Sequence, residues 1–142
     1  MDHAAFLTKG EIRFLRGYTN YYVQTDQGYI HQDESGVGGI SAVWYCHPDW
    51  HLNWGGELVV YDVQDKDMFE DAGKYLYEKN IMRDEDRQGF YDHVMSSPMH
   101  AVTPVANRLV IFDSNVLHAA RPPQSSDALR LSTALKLADT HY

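Results

Sequence analysis

The sequence has little cysteine, no cluster of basic residues and no long hydrophobic run. Its single cysteine, Cys46, cannot form an internal disulfide, which fits the cytoplasmic location that we predict. Twelve lysines and arginines against 20 acidic residues give a formal net charge of −8. This balance argues against a nucleic-acid partner, because phosphate contacts need clustered basic side chains. No hydrophobic run approaches the roughly 20 residues that span a membrane, so no membrane association is predicted.

Strand-forming segments dominate the chain. The 142 residues, 44% of them hydrophobic, suit one domain over 1–142. Residues 18–62 are aromatic, β-branched and interrupted by glycine, residues 108–112 form an apolar run, and residues 129–137 alternate. The alternation of strands and helices that builds parallel sheets is absent. We therefore predict a mainly β fold, an antiparallel jelly-roll sandwich or barrel.

A helical insertion is predicted around residues 67–95. Apolar side chains follow helical spacing from Met68 to Leu76, and Phe90, Tyr91 and Val94 indicate a second short helix. Two interpretations stay open. The insertion either closes over a binding site as a lid, or packs its aromatic side chains as part of the core.

Three residues form a candidate metal site. Successive side chains of a strand point to opposite faces, so His31 and Asp33 share a face if residues 29–33 are extended. His118, which follows a buried strand by a short turn, is the candidate third ligand. Two histidines and one carboxylate bind Fe(II) in non-haem oxygenases and leave open positions on the metal. Zinc stays an alternative, because it accepts the same ligand types.

The last strand carries a candidate site for an acidic ligand. Its leucines, Leu129, Leu131, Leu135 and Leu137, lie on one face, and Arg130, Ser132, Ala134 and Lys136 lie on the other. Arginine offers a planar pair of donors to a carboxylate, and serine adds another. A buried guanidinium without an anion is costly, which predicts an acidic ligand if this face points inward. An exposed face on an edge strand is the alternative.

Five segments in order resemble the 2-oxoglutarate- and Fe(II)-dependent dioxygenases, in the branch similar to prolyl hydroxylases. They are residues 28–33 (GYIHQD), 54–58 (WGGEL) and 104–112 (PVANRLVIF), then His118, then residues 130–132 (RLS). Their order and spacing agree over residues 18–138, which is most of the chain.

The resemblance implies a double-stranded β-helix (jelly-roll) in which His31, Asp33 and His118 bind Fe(II). It implies that Arg130 and Ser132 bind the distal carboxylate of 2-oxoglutarate. A tyrosine of the strand before His31 often joins them in the family, and we predict Tyr21 rather than Tyr22. With O2 as the further substrate, the implied reaction hydroxylates an unactivated carbon and releases succinate and CO2. The carboxylate of Asp33 favours hydroxylation over halogenation, because halogenating relatives lack it.

Three function classes remain. The first is a dioxygenase, with a small-molecule substrate predicted and a protein side chain (prolyl-type hydroxylation) as the alternative. The second is a non-catalytic jelly-roll that binds a metal or an acid and acts as a subunit. The third, a zinc or manganese isomerase, does not need Arg130 and Ser132 on one inward face.

One departure from the family concerns the outer face of the last strand. Relatives carry a helical segment before the barrel, and His31 comes too early in this sequence to allow one. The leucine face would then contact water, which is an improbable apolar patch. We predict that a second copy (a homo-oligomer), a partner chain or residues 67–95 cover it.

Overall fold

The computed structural model describes residues 11–33, 38–63 and 84–139. This part of the chain contains seven strands, one α-helix and one short 3-10 turn. The strands are β1 (Ile12–Tyr22), β2 (Gly39–Tyr45), β3 (Leu58–Tyr61), β4 (Met99–Val102), β5 (Leu109–Asp113), β6 (Leu117–Ala120) and β7 (Arg130–Asp139). The helix is α1 (Asp84–Ser96), and the 3-10 turn is Leu52–Trp54.

The strands form two antiparallel sheets. The larger has the order β1-β7-β2-β5 and the smaller the order β4-β3-β6. An isolated antiparallel bridge between His31 and His118 adds the segment before Asp33 to the free side of β6. Neighbours in both sheets are distant in sequence, as expected for a jelly-roll. The predicted mainly β fold, a double-stranded β-helix (jelly-roll), is confirmed.

Strand β7 has the two faces that its alternation predicts. Arg130, Ser132, Ala134 and Lys136 are each at most 3% exposed, whereas the leucines between them are half-buried. β7 lies between β1 and β2, so the alternative of an edge strand with an exposed Arg/Ser face is wrong. Polar side chains thus line the inside of the larger sheet.

Tight turns bring the chain back into the sheets. Asn107 has a φ of 64°, a left-handed conformation that asparagine tolerates better than most residues, and its side chain accepts a hydrogen bond from Trp44 Nε1 at 3.0 Å. The turn leads directly into β5, as the sequence predicts. Gly56 has a φ of 76°, and a Cβ there would lie 2.7 Å from the Trp50 ring, so both conformation and space require glycine.

Helix α1 occupies the end of the predicted insertion. It contains Phe90, Tyr91 and Val94, so the second predicted helix is confirmed, and Val94 is 3% exposed. The helix ends where the hydroxyls of Ser96 and Ser97 donate to the carbonyl of His93, just before Pro98. Residues 64–83, which include the first predicted helix, lie outside the described residues, and the lid stays a prediction.

The outer face of the larger sheet carries exposed apolar side chains. Trp44 and Leu109 pair across β2 and β5 and are 43% and 53% exposed. The predicted cover by a second copy, a partner chain or residues 67–95 stays a prediction. No helix in the described ranges is long and apolar enough to cross a membrane.

Candidate active site

His31 and His118 are held directly opposite each other by the backbone. The N–H of His31 donates to the carbonyl of His118 at 2.9 Å, and the N–H of His118 donates to that of His31 at 3.0 Å. Residues 29–33 do not form a regular strand, because the ladder stops after this one bridge, so strand alternation is not what places His31 and Asp33 together. The N–H of Asp33 instead bonds to the carbonyl of Ser114 at 2.9 Å. These contacts bring the three predicted ligands together.

Backbone carbonyls orient both imidazoles. Nδ1 of His31 lies 2.9 Å from the carbonyl oxygen of Tyr29, and Nδ1 of His118 lies 2.8 Å from that of Val116. A carbonyl only accepts hydrogen bonds, so each ring carries a proton on Nδ1. An Nε2 that is also protonated donates to Asp33, and an Nε2 without its proton presents its lone pair to a metal. Such outer contacts are typical of histidines that bind metals.

The three side chains fit a metal ion. Asp33 Oδ1 lies 3.4 Å from His31 Nε2, and Asp33 Oδ2 lies 3.4 Å from His118 Nε2. All three ligand atoms lie within 4.8 Å of one another. Neighbouring ligands of an octahedral ion are about 3 Å apart when each bond is about 2.1 Å, so small shifts suffice to bind one. The donor set, two imidazoles and one carboxylate, is that of an Fe(II) oxygenase site.

Charged neighbours fix the ionisation of Asp33. Burial alone would raise its pKa, but hydrogen bonds with His118, His31 and Lys136 hold the pKa far below its ordinary value. Burial would lower the pKa of His31, but hydrogen bonds with Asp33 and with the Tyr29 carbonyl outweigh it and raise that pKa. Asp33 therefore offers a permanent carboxylate to a cation.

Arg130 lies deep inside the larger sheet. It is 1% exposed, its Nε donates to the carbonyl of Gly56 at 2.8 Å, and its Nη1 donates to Ser132 Oγ at 3.4 Å. A guanidinium has five N–H donors, and no described carboxylate pairs with this one. Its Cζ is 5.6 Å from the ring centre of Tyr22 and 5.1 Å from that of Tyr45. Burial lowers the pKa of Arg130, but an arginine in a protein stays charged, and its remaining donors suit an acidic ligand.

Tyr45 lies in the candidate site beside Arg130, where our sequence analysis did not expect a site residue. It pairs with Ser132 across β2 and β7 and is 0% exposed. Its buried hydroxyl meets hydrogen-bond geometry with no described residue, although it interacts electrostatically with the guanidinium of Arg130. A buried hydroxyl without a partner is costly, so an acceptor bound beside Arg130 would relieve it. The alternation of β2, which places Tyr45 on the face of Ser41, was the available signal. Arg130, Ser132 and Tyr45 together fit one end of 2-oxoglutarate.

Tyr21, the tyrosine that we predicted for this role, lies elsewhere. It is 71% exposed and pairs with Leu131, on the outer face of the sheet. Tyr22 pairs with Arg130 instead, on the inner face. The structure therefore brings Arg130 and Ser132 together with Tyr22 and Tyr45, and not with Tyr21.

Comparisons with known proteins agree with this site. Residues 16–135 match the 2OG-Fe(II) oxygenase superfamily. The chain belongs to this family, as its sequence motifs predict, and the family's name specifies Fe(II) and 2-oxoglutarate, the cofactor and co-substrate expected here. No curated protein gives a match.

Three solved structures illustrate the shared fold. A prolyl-4-hydroxylase from Pseudomonas putida has 21% identity and a TM-score of 0.55, over 94% of this chain and 54% of that one. SnoK, a non-heme alpha ketoglutarate dependent carbocyclase from nogalamycin biosynthesis, has 16% identity and a TM-score of 0.63, over 92% and 52%. HygX from Streptomyces hygroscopicus, solved with iron bound, has 14% identity and a TM-score of 0.58, over 94% and 61%. The chain thus spans little more than half the length of these proteins.

Proposed function

We propose that this protein is an Fe(II)- and 2-oxoglutarate-dependent dioxygenase that hydroxylates an unactivated carbon and releases succinate and CO2. The convergence of His31, Asp33 and His118, with both Nε2 atoms directed at the carboxylate, is the observation that supports it. When bound, iron and 2-oxoglutarate supply the activation of O2.

The protein's own residues bind and orient these groups. In this proposal His31, Asp33 and His118 hold the metal from one side and leave its other positions open. Arg130, assisted by Ser132 and by the hydroxyl of Tyr45, binds the distal carboxylate of 2-oxoglutarate. The buried setting of Arg130 excludes water, which strengthens such a charged hydrogen bond.

For the substrate of this dioxygenase, we propose a small molecule. The similarity to SnoK, a carbocyclase from a biosynthetic pathway, supports it. The similarity to a prolyl-4-hydroxylase keeps a protein side chain as the second candidate. The cytoplasmic location stays a prediction that rests on the single cysteine.

Two readouts on one sample test the cofactor chemistry. Anaerobic protein is mixed with Fe(II) and 2-oxoglutarate and scanned for the visible metal-to-ligand charge-transfer band, and succinate is assayed after oxygen is admitted. The wild type is compared with His118→Ala and with the matched control His93→Ala, which changes a histidine on α1 outside the site.

We expect a band and slow succinate formation in the wild type and in His93→Ala, and neither in His118→Ala. A wild type that shows neither signal would contradict the proposal. It would favour the non-catalytic subunit, in which the fold binds a metal or an acid without turnover.

A further inference from the structure

A second buried cation, Lys136, lies beside the candidate metal site. Its side chain is 3% exposed, and it shares the inner face of β7 with Arg130. Its ammonium contacts Asp33 Oδ2 and donates to Ser41 Oγ at 3.3 Å, and it lies 5.9 Å from the centre of the Tyr18 ring. Nothing in the proposed reaction uses this charge.

Hydrogen bonding alone does not explain Lys136. The hydroxyl of Ser41 already donates to Asp33 Oδ2 at 2.6 Å. What Lys136 adds is a full positive charge on a buried carboxylate. A buried carboxylate without a cation is costly, so this ion pair stabilises the site before any metal arrives.

The two carboxylate oxygens of Asp33 have different neighbours. Ser41 and Lys136 both bind Oδ2, whereas Oδ1 lies 3.4 Å from His31 Nε2. Oδ2 also lies 3.4 Å from His118 Nε2, but Ser41 and Lys136 already occupy its lone pairs, so Oδ1 is the oxygen freer to bind a metal. A metal bound there shares its carboxylate with an ammonium group that repels it across a short distance of low dielectric.

From this arrangement we propose that Lys136 is a built-in counter-cation of Asp33 that weakens metal binding at the site. The inference rests on the proposed metal site. Lys136 keeps Asp33 neutralised in the metal-free protein, and an incoming metal gains less from the carboxylate than it would from an unpaired one. Lys136 thus acts on the metal through the charge of Asp33 and does not bind the metal itself.

Two other roles predict different outcomes. A merely structural ion pair would stabilise the metal-free and metal-bound proteins equally, and its loss would leave the metal affinity unchanged. A donor that only orients Asp33 would support metal binding, so its loss would weaken the affinity, typically 10- to 100-fold for such outer contacts. Whether the metal affinity rises, falls or stays the same when Lys136 loses its charge therefore separates the three roles.

The experiment measures Mn(II) binding by calorimetry and thermal unfolding with and without Mn(II), which needs no turnover. Lys136→Met keeps the length of the side chain and removes its charge, Lys136→Arg keeps the charge, and Ser41→Ala removes only the neutral donor. We expect Lys136→Met to bind Mn(II) at least tenfold more tightly than the wild type. Its melting temperature should fall without metal and recover when Mn(II) is added.

The other variants complete the test. Lys136→Arg should bind Mn(II) with nearly the wild-type affinity, and Ser41→Ala should bind it a few-fold more weakly. If Lys136→Met does not fold without metal, Mn(II) must restore its folding, and failure to do so overturns the inference.

Two further results would contradict it in different ways. An affinity that is unchanged or weaker in Lys136→Met, with normal Mn(II) binding by the wild type, overturns the role of Lys136 alone. A wild type that does not bind Mn(II) overturns the proposed metal site together with the inference.

Discussion

The buried hydroxyl of Tyr45 leads to a prediction about two quantities: without it, the ligand-free protein should be no less stable, and the binding of 2-oxoglutarate should be weaker. Tyr45→Phe removes only that hydroxyl, which is buried beside Arg130. In the ligand-free protein the hydroxyl has lost its water and gained only its electrostatic contact with Arg130, so that burying it costs up to about 1–3 kcal/mol. Its removal should therefore leave the free energy of unfolding unchanged or raise it by about 1 kcal/mol.

The same change should weaken the binding of 2-oxoglutarate. A hydrogen bond from the hydroxyl to a carboxylate is worth about 1.5–3 kcal/mol, because the acceptor is charged. Since about 1.4 kcal/mol is a factor of ten, the dissociation constant should rise roughly 10- to 100-fold. Calorimetry of the Mn(II)-loaded protein measures this constant, and thermal unfolding of the ligand-free protein measures the stability.

Tyr21→Phe is the matched control, because it removes an exposed hydroxyl on the outer face of the same sheet. Neither its stability nor its affinity for 2-oxoglutarate should change more than about twofold. An unchanged affinity in Tyr45→Phe would refute the reasoning. If Tyr21→Phe weakened binding at the same time, β1 would supply the tyrosine through a different register.

Three further predictions concern single positions. Arg130→Lys should lower the affinity for 2-oxoglutarate by at least tenfold in the same calorimetric assay, because an ammonium cannot reproduce the planar pair of donors; wild-type affinity would contradict this. Gly28→Ala should lower the melting temperature and weaken Mn(II) binding, because a Cβ there would lie 1.6 Å from the carbonyl oxygen of Ala120. A wild-type melting curve would show that this close approach of the two backbones is not essential. Asn107→Val should cost about 1–2 kcal/mol in denaturant unfolding, since a β-branched residue resists the positive φ, whereas Asn107→Gly should cost much less.

Alternation predicted the site where a strand has a clear contrast between its faces. In β7, leucines alternate with polar residues, so the sequence separates the face of Arg130 and Ser132 from the leucine face. That this face points inward follows from the place of β7 between β1 and β2 and from the burial of these side chains. In β1, Tyr21 and Tyr22 are adjacent aromatic residues, and the sequence does not show which one faces inward. The pairing of Tyr22 with Arg130, set between distant strands, decides it.

Other parts of the site depend on contacts that a sequence does not contain. Tyr45 stands in an aromatic segment typical of a core, and its role follows from its place beside Ser132 in the sheet. Lys136 was expected on the inner face, but its contact with Asp33 joins segments from opposite ends of the chain. The three candidate ligands could be proposed from the sequence because His31, Asp33 and His118 occur within motifs of ordered spacing.

In the proposed site, a metal bound by both His31 and His118 would cross-link two segments that are distant in sequence and already joined by backbone hydrogen bonds. One histidine lies near the start of the described sheets and the other on β6 near their end. An ion bound by both closes a long loop of polypeptide, as a disulfide does, and so removes conformations from the unfolded chain. Bound iron would then stabilise the fold, and loss of iron would make the protein more susceptible to proteolysis as well as inactive.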